Sequence, residues 1–354
     1  MAIAVLAIVA VLGLAGVVLL RGNRLRTGSL LVAAIAVGLI GADLVADIFT
    51  PKAMGAGIVK VATPREWLVP DAVLGYRPKA NTKVEVRETF DGEPVFHQTY
   101  TILADQTRAT PAAPAGADTY LFLGDSFMFG EGLADDETVP SQFARVAGSN
   151  VHAVNFAVSG YAINHLVRAA EAGLLDRYKS AKLMAAVTWV IPDHLARVTG
   201  DGAWLGSSPR YVLEKGVPRF TGTFDEHRWH DPLDGLRYLL GEHLAFVKAI
   251  GQRQRQQEQA DLFVALVVRL QTLIRERFGI PLLVVYSWPD EGNHDPVLVA
   301  VPGRLRAAGV NLMRVYGLTG GHEVSKLLIP HDGHPSAFQD GLIAAELKRL
   351  LIGP

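Results

Sequence analysis

The chain has 354 residues, enough for one large domain or two, and contains no cysteine, which excludes disulfides and thiolate chemistry. Its formal net charge is −1, so there is no electrostatic case for a nucleic-acid partner. Hydrophobic residues make up 49% of the sequence, and much of the excess lies in the first fifty positions.

Residues 2–20 are uninterrupted apolar sequence, about 28 Å long as a helix and close to a bilayer core in thickness. Arg21, Arg24 and Arg26 follow, and residues 30–49 form a second apolar run broken only by Asp43 and Asp47. A cleaved signal peptide carries its basic residues before the apolar run, and none precede this one. The arginines instead mark a cytoplasmic loop between two spans. The pattern predicts a transmembrane helical hairpin over residues 1–50, in contact with membrane lipid. Everything after it then lies outside the cytoplasmic membrane, in the periplasm of a bacterium. Gly13, Ala15, Gly16, Ala34, Gly38 and Gly41 suit helix packing. Asp43 and Asp47 share one helix face: Asp47 reads as an interfacial carboxylate, and Asp43 as that or as a contact with a partner helix.

Residues 51–117 read as a β-rich leader, with strand-like pieces at 83–88 and 94–101 around the turn signal Asp91-Gly92. From residue 118 the pattern alternates. Apolar strands are expected at 120–123, 151–155, 183–190, 281–286 and 310–315. Helical stretches are expected at 139–147, 164–175 and 260–278, with a last helix at 336–351. That alternation predicts a parallel, doubly wound α/β sheet covered on both faces. Residues 200–259 read as an insertion whose Trp204 and Trp229 build a local core or line a pocket, ending in a polar, solvated helical face at 252–259.

The strand at 120–123 runs into Gly124-Asp125-Ser126, which places Ser126 just past the carboxyl edge of the sheet. A nucleophilic serine needs a base, and the base needs an orienting group. His331-Asp332-Gly333-His334-Pro335 offers both. Residues i and i+2 of an extended segment point the same way, so Asp332 can hold one imidazole nitrogen of His334 and leave the other for Ser126. Pro335 biases His334 away from helical geometry. No third ligand at metal-site spacing accompanies the histidines, and the 124–132 loop lacks both dinucleotide and Walker patterns, so no metal or cofactor is expected.

The chain resembles the SGNH, or GDSL-like, hydrolase superfamily over about residues 70–351. The resemblance rests on Gly124-Asp125-Ser126 with the Phe-x-Phe-Gly-x-Gly of 127–132, on Asn155-Phe156-Ala157-Val158-Ser159-Gly160-Tyr161, and on Asp332-Gly333-His334-Pro335. Leu74-Gly75-Tyr76-Arg77-Pro78 and Thr107-Arg108 look like the leader of membrane-anchored bacterial members. The resemblance implies a flavodoxin-like three-layer fold and ester hydrolysis or acyl transfer. It implies Ser126 as nucleophile, His334 as base, Asp332 as orienter, and the Ser126 and Gly160 amides as oxyanion donors. By resemblance the substrate is an acylated cell-envelope glycan or a small ester. Two features depart from the pattern: the Asp and His are two apart where many members have three, and Pro192 stands where a third block supplies an asparagine donor. Asn164 and His194 are the candidate substitutes. The alternative expectation, motivated by Pro192 and the small residues of the hairpin, is a catalytically silent domain serving as an accessory subunit among other transmembrane subunits.

Overall fold

The computed structural model of the chain describes residues 2–49, 57–230, 252–288 and 295–353. Two compact units are present, Met1–Met54 with His227–Arg255, and Gly55–Glu226 with Gln256–Pro354.

In the first unit, α1 (Ala2–Leu19) packs against α2 (Asn23–Phe49). The contact runs through small residues: a Cβ added at Gly13 would lie 2.9 Å from the Ser29 carbonyl, and one at Gly16 would lie 2.6 Å from Ser29 Oγ. A Cβ added at Gly38 or Gly41 meets nothing within 4 Å among the described residues. Among the described residues, Asn23–Ala42 alone is long and apolar enough to cross a membrane, with a mean hydropathy of 1.8, and Leu6–Leu19 is a shorter apolar helix. The side chains of Asp43 and Asp47 lie outside the described residues.

The second unit opens with the leader. Its strands are β1 (Ile58–Thr63), β2 (Leu68–Asp71), β3 (Gly75–Pro78), β4 (Thr82–Phe90) and β5 (Glu93–Ile102). β1, β4 and β5 form an antiparallel sheet in that order, and β2 and β3 form a hairpin. The expected turn joins β4 to β5: Asp91 (φ 50°) and Gly92 (φ 88°) are both left-handed, as a two-residue hairpin connection matched to strand twist requires.

The main sheet follows the expected alternation. β6 (Asp118–Leu123), α3 (Ser126–Phe129), α4 (Val139–Ala147), β7 (Val151–Asn155), α5 (Ile163–Glu171), β8 (Lys182–Val190) and α6 (Asp193–Arg197) lead to the hairpin β9 (Pro209–Glu214) and β10 (Val217–Thr223). Helix Gln252–Phe278, β11 (Leu282–Tyr286), helix Pro296–Ala307, β12 (Asn311–Arg314) and helix Ala337–Leu351 complete it. The five sheet strands lie in the order β12-β11-β8-β6-β7, all parallel. Numbered by appearance this is 2-1-3-4-5, the flavodoxin-like order, with its switch point between β6 and β8. Alternate residues of β6 feed two cores. Leu121 and Leu123 pack with α5 and helix Gln252–Phe278, and Tyr120 and Phe122 pack with α4 and helix Ala337–Leu351. The three layers are therefore helix, sheet, helix.

Two boundaries differ from expectation. α5 stops at Glu171 and does not continue to Leu175, because the chain turns at Gly173 and the Gly173 and Leu174 N–H groups return to Ala170 and Ala169. The polar run 252–259 belongs to the first turns of helix Gln252–Phe278, so the insertion ends before residue 259.

Candidate active site

Ser126 sits where β6 meets α3, at the carboxyl edge beside the switch point. Gly124 lets the chain turn there: a Cβ on it would lie 2.6 Å from Met128 Cβ. Asp125 caps α3, accepting from the Phe127 N–H at 3.1 Å. Its other oxygen accepts from His194 Nε2 and from Arg197, each at 3.0 Å, and Arg197 also donates to the Tyr161 carbonyl. Asp125 is fully buried; burial raises its pKa, but His194 and Arg197 outweigh this and hold it below the usual range. Asp125 thus locks the nucleophile turn to α6 and to the loop after β7.

The loop after α3 is held by Arg108. Its buried guanidinium lies over the edge-to-face pair of the Tyr100 and Phe129 rings, at 4.3 and 4.7 Å from their centroids. It donates to the carbonyls of Phe129 (2.8 Å), Gly130 (2.6 Å) and Leu133 (2.6 Å) and to Asp135 (3.0 Å). Asn155 adds longer bonds, 3.3 Å each, to the Met128 and Phe129 carbonyls.

The base arrives on the loop before helix Ala337–Leu351. Ile329 N–H donates to the His334 carbonyl at 2.8 Å and Gly333 N–H to the Ile329 carbonyl at 3.0 Å, which folds the loop back on itself. His331, left-handed at φ 65°, stacks on Phe90 at 4.2 Å and does not join the site. Asp332 Oδ1 accepts from the His334 backbone N–H at 3.0 Å and lies 2.5 Å from His334 Nδ1. His334 Nε2 lies 2.8 Å from Ser126 Oγ. A carboxylate can only accept, so Nδ1 carries the proton and Nε2 is free to take the one on Ser126. Ser126, His334 and Asp332 therefore stand in the relation of a serine-hydrolase triad. Burial raises the Asp332 carboxyl, but the bond to His334 and the Lys60 charge dominate and bring it down to about 2. Burial lowers the His334 pKa, but Asp332 and Glu131 outweigh it and leave the imidazole above its ordinary value.

The loop after β7 is docked to the nucleophile turn by the Val158 N–H, which donates to the Gly124 carbonyl at 3.1 Å. Gly160 in this loop has φ 84°, a conformation that favours glycine. Its preceding carbonyl, on Ser159, accepts from the Tyr76 hydroxyl at 3.0 Å, and its own carbonyl accepts from Trp204 Nε1 at 3.2 Å. The peptide between Ser159 and Gly160 is trans and planar, so fixing the Ser159 carbonyl fixes the Gly160 N–H in the opposite direction.

Both candidate substitute donors are engaged elsewhere. Asn164 is buried, and its Nδ2 donates to the Pro209 carbonyl at 2.7 Å, tying α5 to the β9 hairpin. His194 is buried on Asp125. Pro192 is the N-cap of α6 and offers no N–H. Trp204 is not part of a local core of the insertion: it is 52% exposed and rests against the Gly160 loop, with the Arg197 guanidinium 6.0 Å from its ring. The side chain of Trp229 lies outside the described residues. Lys60, Glu88 and Glu131, which the sequence did not single out, cluster beside the triad. Among the described residues no group of three or more metal-ligating side chains is placed to hold an ion.

No protein-family model and no curated protein matches this sequence. Solved structures do. A lipase, Lip_vut3, from goat rumen metagenome is 13% identical and aligns over 67% of this chain and 98% of its own, with a TM-score of 0.39. A carbohydrate acetylesterase family member from Sinorhizobium meliloti is 14% identical over 67% of this chain and 100% of its own, with a TM-score of 0.38. A psychrotrophic esterase, EstA, from Pseudoalteromonas sp. is 14% identical over 65% and 94%, with a TM-score of 0.36. Similarity this distant carries no argument about what this chain does; the distances between Ser126, His334 and Asp332 carry it.

Proposed function

We propose that the chain is a serine esterase or O-acyltransferase of the SGNH type, anchored in the cytoplasmic membrane with its α/β domain in the periplasm. The observation that carries the chemistry is the continuous contact Asp332 Oδ1–His334 Nδ1 (2.5 Å) and His334 Nε2–Ser126 Oγ (2.8 Å). Ser126 Oγ attacks an ester carbonyl as its proton passes to His334 Nε2. Asp332 stabilises the imidazolium, and the Ser126 and Gly160 amides receive the tetrahedral oxyanion. As the first residue of α3, Ser126 has an N–H that the helix does not use. His334 returns the proton to the departing alkoxide, leaving acyl-Ser126. Water, or a sugar hydroxyl, then gives its proton to His334 Nε2 and takes the acyl group, and His334 returns that proton to Ser126 Oγ as the ester bond to it breaks.

The anchor reading is supported by the apolar surface of the helix pair, where Val11, Leu12, Ile35 and Val37 are all more than half exposed, and by Arg21, Arg24 and Arg26 in and just after the connecting turn. Gly38 and Gly41, which no described residue approaches closely on α2, favour a second role beside catalysis, contact with another transmembrane subunit. A silent site is disfavoured by the assembled triad.

The test is fluorophosphonate labelling of the detergent-solubilised full-length protein, beside Ser126→Ala. Stoichiometric labelling that disappears in the variant is expected. A folded wild type that stays unlabelled under forcing conditions, with Ser126 accessible to hydroxyl-reactive footprinting, refutes the reading.

A further inference from the structure

β1 is an edge strand of the leader sheet, and alternation points its Lys60 away from the exposed Val59 and Val61. Cross-strand register pairs Lys60 with Glu88 on β4, and Lys60 Nζ lies 2.9 Å from Glu88 Oε2. The same ammonium is in close contact with Glu131 Oε1, from the loop after α3, and lies 3.6 Å from Asp332 Oδ2. Glu131 in turn accepts from Ser159 Oγ at 2.6 Å, and its Oε2 lies 4.0 Å from His334 Nε2. The imidazole therefore has one carboxylate at each nitrogen, and a single lysine joins the two.

We propose that Lys60 is a positioning residue of the active site, holding the Asp332 and Glu131 carboxylates at either side of His334 and setting the pH below which the imidazole is no longer free to act as a base. This rests on the serine-hydrolase reading of the triad. Two carboxylates beside an imidazole favour its protonated form, and a protonated His334 cannot accept from Ser126. The groups facing His334 are Asp332 on its own loop, Ser126 and the Phe127 ring (5.3 Å) on α3, and Glu131 after α3; Lys60 on β1 and Glu88 on β4 stand behind the carboxylates. Lys60 is the only cation that this cluster contains among the described residues, apart from the imidazole itself. It is also a well-anchored one. Burial lowers the Lys60 pKa, but Glu131, Glu88 and Asp332 more than reverse this and raise it, so the ammonium keeps its charge across the working range. Glu88 differs, because burial raises its pKa in spite of Lys60.

The alternative is that Lys60 merely pins β1 to the domain, and the two roles separate by pH. The experiment uses the full-length protein in detergent and two readouts. One is the rate of fluorophosphonate labelling of Ser126 against pH. The other is an NMR titration of the imidazole signal that vanishes in His334→Gln. In Lys60→Met both midpoints are expected to rise by about one pH unit, with the loss of labelling concentrated at low pH and recovering as pH rises. Lys60→Arg, which keeps the charge, restores the wild-type midpoint, and Glu131→Gln moves it down. A Lys60→Met that labels more slowly by one factor at every pH, with an unmoved His334 midpoint, overturns the proposal. If Lys60→Met loses its cooperative melt, Glu131→Gln decides, and a midpoint that does not fall overturns the proposal equally. If a folded wild type with an accessible Ser126 does not label at all, the serine-hydrolase reading falls, while the His334 titration still judges Lys60.

Discussion

Tyr76→Phe removes one oxygen atom and tests how the oxyanion donor is held. The hydroxyl donates to the Ser159 carbonyl at 3.0 Å, and the opposite edge of that peptide is the Gly160 N–H. Nothing local fixes the orientation of this peptide, because Gly160 tolerates either sign of φ and a flip costs it little. The substituted ring keeps the edge-on packing that Tyr76 makes against Tyr161, at 5.2 Å, so the change is confined to one hydrogen bond. A net bond of about 0.5–1.5 kcal/mol biases the peptide about 2- to 13-fold toward the catalytic orientation. Complete loss of a donor would cost about 2.7–4 kcal/mol, so the expected fall lies well short of about 100-fold. The assay is the second-order rate of fluorophosphonate labelling with p-nitrophenyl acetate turnover beside it, and a thermal melt as control. A slowing of about 2- to 13-fold with an unchanged melt is expected. An unchanged rate in a folded variant would show that Tyr76 does not orient the Gly160 amide.

Arg108→Met should destabilise the α/β unit by about 3–5 kcal/mol, a fall in Tm on the order of 10 °C, because three buried carbonyls and Asp135 lose their donor together. A melt that matches wild type would mean that the loop after α3 is held by other contacts. Asp332→Asn should slow labelling by about ten-thousandfold, since the imidazole loses the group that fixes its tautomer. The same variant carries a stability signature with a definite sign. The Asp332 pKa is depressed to about 2, below its unfolded value of about 3.9, so its contribution is present above about pH 4 and lost as pH falls toward 2. That contribution is at most about 2.6 kcal/mol, and it should vanish from the acid limb of a Tm-versus-pH curve in Asp332→Asn. Parallel acid limbs in the two proteins would contradict it.

The five sheet strands were legible because strands buried on both faces read as continuous apolar runs, and the turn at Asp91-Gly92 because few residues accept two left-handed positions in succession. The triad was legible for a different reason. Asp332 and His334 meet through local backbone geometry, whereas the contact of His334 with Ser126, 208 residues away, follows from the strand end and the last loop lying at one edge of the sheet. The failures at the site are long-range, whereas the early end of α5 is a local turn at Gly173. Asn164 and His194 had the right chemistry, but their partners, the Pro209 carbonyl and Asp125, come from elements that a linear reading does not bring together. Lys60 and Glu88 sit in alternating strands, where the polar face ordinarily meets water; here that face covers the active site.

Pro192 raised the question of whether two backbone donors suffice, and the geometry bears on the answer. An asparagine at that place would add a donor carried by a side chain, which has to be held in its rotamer to be useful. The Gly160 amide is instead restrained through both flanking carbonyls, Ser159 by Tyr76 and Gly160 by Trp204, the first from the leader and the second from the insertion. The value of an oxyanion donor depends on its being oriented before the reaction, so that no reorganisation accompanies charge development. A donor fixed from two sides thus recovers part of what a missing third donor gives up. On the proposed mechanism the leader then touches each arm of the site: Tyr76 at the Ser159–Gly160 peptide, Arg108 at the loop that carries Glu131, and Lys60 at the carboxylates that flank His334. A leader that only spaced the domain from a membrane would need none of these contacts, and its placement in one compact unit with the sheet follows from them.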